Sequence, residues 1–211
     1  MRDLQNKGLE GLGSVPFPSS ALDGELSRYS ARNAKMASLV AEGTLLRLKQ
    51  GLFCLSEKAA GVKPEPLLAA NALYGPSYVS FETALAMYGL IPERVDETMS
   101  ACAKRGKRYE TPIGAFSYRT VPAEWFPIGV RTVRIDGGSF LAAVPEKALG
   151  DLLLARTNLR ISSPSSLRDY LENDIRFDFD ALENPDRGVL RDMVATGRKA
   201  PLMRALERLL A

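Results

Sequence analysis

Arg28-Tyr29-Ser30-Ala31-Arg32-Asn33-Ala34-Lys35-Met36-Ala37-Ser38-Leu39-Val40-Ala41-Glu42-Gly43-Thr44-Leu45-Leu46-Arg47-Leu48-Lys49-Gln50-Gly51-Leu52-Phe53-Cys54-Leu55 passes from a helix-forming segment, through Glu42-Gly43, into a basic hairpin. Met36, Leu39 and Val40 fall at i, i+3 and i+4, so one helix face is predicted to meet a core. Ser30 is the expected N-cap, and Gly43 suits the left-handed position that ends a helix. Beyond it, Leu46 and Leu48 alternate with Arg47 and Lys49, which predicts two cations on the outer side of a strand. A helix followed by a cationic ribbon predicts a winged helix-turn-helix over residues 1–60. Such a module offers DNA a helix for the major groove and a ribbon for the neighbouring backbone.

The rest of that module is read outward from this stretch. Leu4, Leu9 and Leu12 suggest a first helix weakened by Gly8 and Gly11, and Pro18-Ser19-Ser20-Ala21-Leu22 opens a short second one. On the third helix, Ala31, Ala34, Lys35 and Ser38 lie opposite the apolar stripe, with Arg28, Arg32 and Asn33 crowding its N-terminal end. Small residues permit close approach to base edges, while Lys35 and Ser38 reach bases or phosphate. The expected DNA-binding set is therefore Arg28, Ser30, Arg32, Asn33, Lys35, Ser38, Arg47, Lys49 and Gln50. Solvated surface positions alone would explain the exposure of these cations, so their sign and clustering carry the functional hint.

Composition sets the remaining bounds. Lys and Arg number 28 against 25 Asp and Glu, and a net charge of +3 does not by itself announce a nucleic-acid partner. From Arg28 to Gln50, however, five basic residues face only Glu42. There is no histidine, which removes the commonest general base and the commonest zinc ligand. No acidic-x-Lys element and no G-x-x-x-x-G-K loop occurs, so no catalytic residue, metal or cofactor is expected. Cys54 and Cys102 fall in different predicted strands, too few for a disulfide framework. With no apolar run approaching roughly 20 residues, the expectation is a cytoplasmic protein without membrane contact.

Glu57 to Glu65 has the composition of a linker and places a boundary near residue 60. Pro66 opens a helical run, and Ser80 is the expected cap of another that Gly89 stops. Strands are predicted at 98–103, 109–111, 115–121, 130–135 and 139–143, with hairpin turns at Lys104-Arg105-Gly106-Lys107 and Asp136-Gly137-Gly138. Pro145 begins a helix, and further helices are expected with caps near Ser165, Asn184 and Gly197. Residues 61–211 thus read as a mixed α+β domain. Four cations in five positions, Lys104, Arg105, Lys107 and Arg108, are candidates for a second nucleic-acid or partner contact. Glu82, Glu110 and Glu146 beside Lys147 are assigned to helix-terminal charge and surface pairing rather than catalysis.

Leu73-Tyr74-Gly75-Pro76-Ser77-Tyr78-Val79-Ser80-Phe81-Glu82-Thr83-Ala84-Leu85 followed by Tyr88-Gly89-Leu90-Ile91-Pro92-Glu93 resembles the AbiEi antitoxins of abortive-infection toxin-antitoxin systems. Lys107-Arg108-Tyr109-Glu110-Thr111-Pro112-Ile113-Gly114-Ala115-Phe116-Ser117-Tyr118-Arg119 and Ala143-Val144-Pro145-Glu146-Lys147-Ala148-Leu149 are similar to the same family in order and spacing. With the hairpin, the likeness spans roughly residues 15 to 155. The resemblance implies a transcriptional repressor that binds inverted repeats in its own promoter, double-stranded DNA, through the winged helix. It also implies a C-terminal domain that opposes a nucleotidyltransferase-type toxin, with no stable complex required. Trp125-Phe126-Pro127-Ile128-Gly129 and the tail after Ser162 match no family motif. Two readings stand beside this one: a module for protein partners without an operator, and a carboxylate- and metal-dependent enzyme on nucleic acid.

Overall fold

The computed structural model describes residues 13, 15–27, 29–92, 96–159, 161 and 163–210. The helix expected over Leu4, Leu9 and Leu12, and the expected contact at Arg28, lie outside them. The chain is a mixed α+β fold with two sheets.

The N-terminal part contains strand β1 (Phe17–Pro18), a single turn of 3-10 helix (Ser19–Leu22), helices α1 (Asp23–Leu26) and α2 (Arg32–Ala41), and the hairpin strands β2 (Leu45–Lys49) and β3 (Leu52–Leu55). The small sheet is antiparallel in the order β1-β3-β2. Gly43 ends α2 with φ +71°, and Thr44 N–H donates to Leu39 O at 2.9 Å. This is the left-handed ending predicted for it. Ser30, in contrast, is not the cap: α2 starts one residue later than expected, with Ala31 at the N-cap and no side-chain bond there.

Strand β2 departs from simple alternation through an irregularity between Arg47 and Lys49. An extra residue in one strand of a pair bends it and re-aims its side chains. Leu45 and Leu48 are consequently both buried, but in different cores. Leu45, Phe53 and Leu55 pack with Phe17, Leu22, Leu26 and Leu39. Leu48, Leu52 and Cys54 pack instead with Leu68, Ala69, Leu73, Phe116, Tyr118 and Phe140 of the downstream chain. Residues on either side of position 60 therefore share a core through the hairpin, and the expected linker holds a short helix, α3 (Glu57–Ala60).

Helix α4 (Pro66–Leu73) leads into β4 (Ser77–Val79) and α5 (Phe81–Met87), and then into strands β5 (Glu97–Cys102), β6 (Lys107–Thr111), β7 (Gly114–Thr120), β8 (Val130–Ile135) and β9 (Gly138–Ala143). The large sheet has the order β6-β7-β5-β4-β9-β8. Helix α4 and the hairpin cover one face, with Val79, Cys102, Phe116 and Ala142 beneath them. The Asn71 side chain of α4 joins β4 to β9, accepting from Leu141 N–H at 2.6 Å and donating to Ser77 O at 2.9 Å. The hairpin expected at Lys104–Lys107 is a correction. Strand β7 lies between β5 and β6 in the sheet, so this turn is a crossover and the antiparallel hairpin closes at 112–113 instead.

The opposite face is covered by α5, α6 (Pro145–Ala155), α7 (Pro164–Asn173), α8 (Arg187–Ala195) and α9 (Ala200–Leu210) around Leu149, Leu152, Leu171, Leu190 and Leu206. The caps of α7 and α8 are Ser163 and Asp186, each two residues from the expected position. Gly150 on α6 admits this packing, because a Cβ there would meet the Met193 sulfur of α8.

The surface pairing expected of Glu146 beside Lys147 is overturned, because both side chains are buried. Lys147 and Asp151 are both fully buried, one helical turn apart on α6, with Nζ 3.0 Å from Oδ1. Asp151 also accepts from Trp125 Nε1 at 2.5 Å, Ser80 Oγ at 2.6 Å and Tyr78 OH at 3.4 Å. Lys147 donates to Trp125 O at 2.8 Å, and its ammonium lies 4.3 Å from the indole centroid. Ser80 thus spends its hydroxyl on Asp151 rather than on capping α5. Burial holds the Lys147 pKa down to about 8 from an ordinary 10.5, against the attraction of Asp151. The unfolded chain keeps this proton up to the ordinary value, so this group's contribution to stability rises with pH from about 8 to 10.5.

Asp151→Ala leaves the Lys147 charge buried without a counter-ion and is expected to cost about 3–5 kcal/mol, read as a lower urea midpoint. Combining Lys147→Met with Asp151→Leu should recover part of that loss, because an apolar replacement leaves no orphaned charge. A double variant no more stable than Asp151→Ala would count against the ion pair as the dominant loss.

Candidate nucleic-acid interface

Helix α2 turns Leu39 into the N-terminal core, with Met36 and Val40 packed at its edge. Ala34 is exposed on the opposite side, and Arg32 and Asn33 are exposed in the first turn of the helix. Lys35 is half-buried, its ammonium 5.6 Å from the centroid of the Tyr29 ring. Ser38 donates to Glu42 Oε1 at 2.6 Å, so the hydroxyl proton expected to meet DNA is already bonded within the helix. Ser30 is exposed in the turn before α2.

On the hairpin, Arg47 and Gln50 are exposed, the latter at the turn that Gly51 closes with φ +75°. Lys49 goes elsewhere. Its ammonium donates to Leu73 O at 2.6 Å and to Ala72 O at 3.3 Å, the last carbonyls of α4. A helix C-terminus carries partial negative charge and unpaired carbonyls, so a lysine there serves as a cap. The irregularity before Lys49 is what turns it inward, and simple alternation did not anticipate it.

The C-terminal cluster lies beside this point. Tyr74, the residue after α4, donates its hydroxyl to Arg105 O at 2.9 Å. Lys104 and Lys107 place their ammonium groups 6.0 and 5.9 Å from the Tyr74 ring centroid, and Lys107 lies 4.7 Å from that of Tyr109. Tyr74, Tyr109 and Tyr118 stack edge-on and tilted at 5.1 to 6.1 Å between centroids. Arg108 is drawn away, paired with Glu97 at 2.8 Å and Glu110 at 3.2 Å. The fold therefore brings the hairpin and the Lys104–Lys107 turn together at the end of α4, while α2 lies on the far side of the hairpin. Sequence reasoning found both cationic groups but missed the tyrosines between them, since adjacency across so many residues leaves no local signal.

The carboxylates do not converge. Glu82 pairs with Arg156 at 3.3 Å, Glu110 with Arg108, and buried Glu146 accepts from Asp186 N–H at 2.8 Å. Among the described residues, no three His, Cys, Asp or Glu side chains group so as to hold a metal. Cys54 and Cys102 are free and buried, and burial pushes the Cys54 thiol up to about 11. A thiol kept protonated is a poor nucleophile. Among the described residues no helix is long and apolar enough to cross a membrane.

No family model and no curated protein matches the chain. Among solved structures it is similar to the Rv2827c protein of Mycobacterium tuberculosis, over 98% of this chain and 80% of that one, with a TM-score of 0.54 and 13% sequence identity. At that identity the likeness shows the fold alone.

Proposed function

We propose that the chain is a DNA-binding transcriptional regulator whose N-terminal part is a winged helix-turn-helix. Helices α1 and α2 form the helix pair, and β2 and β3 form the wing. The observation that carries this reading is the order of α2 and the hairpin, with Arg32 and Arg47 both exposed and the apolar side of each element packed in one core. In this reading α2 enters the major groove with Arg32, Asn33, Ala34 and Lys35, while Arg47 and Gln50 meet the adjacent backbone. Lys104 and Lys107 extend the cationic surface beyond the wing. The antitoxin role, autorepression at promoter inverted repeats against a nucleotidyltransferase-type toxin, is supported by the motif resemblance to AbiEi antitoxins. It accommodates a toxin that is opposed without a stable complex.

One observation favours the rival reading, a module for protein partners. Ser38 and Lys49 are engaged within the chain, which thins the polar set available to DNA. A mobility shift separates the two: purified protein on the DNA immediately upstream of its own gene, against scrambled DNA, at two salt concentrations. Retardation of the upstream fragment alone is expected, and equal or absent retardation would remove the operator.

Arg47→Ala should weaken binding to every sequence and reduce the slope of log K against log salt by about 0.9, one phosphate contact. Lys35→Ala should lower affinity for the operator more than for scrambled DNA, because it lies on the groove-facing helix. Lys104→Ala with Lys107→Ala should leave the melting temperature nearly unchanged and flatten the salt slope by up to about 1.8, two contacts at 0.9 each. An unaltered slope would take this turn out of the DNA footprint.

A further inference from the structure

We propose that Lys49 is a positioning residue. Its ammonium, seated on the last carbonyls of α4, sets where the hairpin stands against the C-terminal part of the chain, and so governs DNA binding without touching phosphate. The inference rests on the DNA-binding reading above and adds to it the means by which the two parts of the chain are held in register.

The geometry at the end of α4 carries it. Lys49 donates to two carbonyls there, Leu73 O at 2.6 Å and Ala72 O at 3.3 Å, where the helix presents partial negative charge. The receiving turn is itself pinned from three sides. Tyr118 OH donates to Ala70 O at 2.7 Å, the Asn71 side chain bridges β4 and β9, and Tyr74 OH holds Arg105 O of the β5–β6 turn at 2.9 Å. Lys49 therefore grips a fixed point. On either side of it in the hairpin, Leu48 and Leu52 are buried in the core shared with α4, so the anchor and the packing act on the same strand pair. Arg47 supplies the contrast, being exposed on the hairpin surface. Reaching a phosphate with Lys49 would break both carbonyl bonds and strip the end of α4 of its cation.

The test compares Lys49→Met, which keeps the apolar stem and removes the charge, with Arg47→Ala in the full chain. Two quantities are read: amide hydrogen exchange of the free protein over β2, β3 and the end of α4, and operator affinity against salt. The expected result for Lys49→Met is faster exchange in the hairpin and a loss of affinity of about fivefold at an unchanged salt slope. A slope that falls by about 0.9, as for a phosphate contact, would overturn the proposal, and so would unchanged hairpin exchange or unchanged affinity. If the unaltered protein binds no DNA, the DNA reading fails by itself. The anchor then stands or falls on the exchange readout of Lys49→Met.

Discussion

The carboxylate of Asp151 is the point from which the C-terminal part of the fold is tied together. It is buried on α6 and accepts from a lysine on its own helix, from Tyr78 and Ser80 at the end of β4, and from the indole of Trp125 in the segment before β8. An isolated buried carboxylate is costly, and an isolated buried ammonium equally so. Here each supplies the other's counter-charge, and neutral donors occupy the remaining lone pairs. The strand, the irregular segment and the helix cannot shift independently without orphaning one of these groups. The network is closed to solvent and draws on a helix, a strand end and an irregular segment at once, which ties α6 to the sheet in one arrangement.

On the other face of the sheet the constraint is apolar. The β2–β3 hairpin has two inward faces, one shared with α1 and α2 and one shared with α4 and the large sheet. A hairpin attached only to its own helices would be free to take many angles to the rest of the molecule. This one has its angle fixed by Leu48, Leu52 and Cys54, and by the Lys49 cap on α4. Under the proposed DNA reading, ordering entropy that a loosely held wing would lose on binding is already spent in folding.

Much of this architecture was legible locally. Gly43 and Gly51 announce a helix end and a hairpin turn because both positions need positive φ. The strand at Val130–Ile135 and the helix at Pro145 follow from pattern and proline placement. What was not legible is long-range. Strand β4 spans only Ser77–Val79, too short to display a period, and the sequence pattern predicts no strand there. Lys147 and Asp151 show the spacing of an ordinary surface pair, and nothing in that spacing reveals burial, since charged residues are seldom fully buried. The direction of Lys49 depended on the strand irregularity beside it, which no alternation rule supplies.

The same distinction bears on how cations should be counted. Of the basic residues nominated from sequence, Arg108 pairs with two glutamates, Lys49 caps a helix, and Lys35, Lys104 and Lys107 each lie over an aromatic ring. Arg32, Arg47, Lys104, Arg105 and Lys107 remain exposed, and they are distributed along α2, the hairpin and the β5–β6 turn rather than gathered on one helix. With a net charge of only +3 over the chain, the proposed DNA reading rests on these separate cations rather than on overall charge. Under that reading, affinity for a polyanion comes from several separated contacts made at once. Separated contacts reinforce one another only when the surfaces bearing them are held rigidly together. The shared hairpin core and the Lys49 contact with the end of α4 join those surfaces, so under the proposed DNA reading the packing between the two parts contributes to binding alongside the charges.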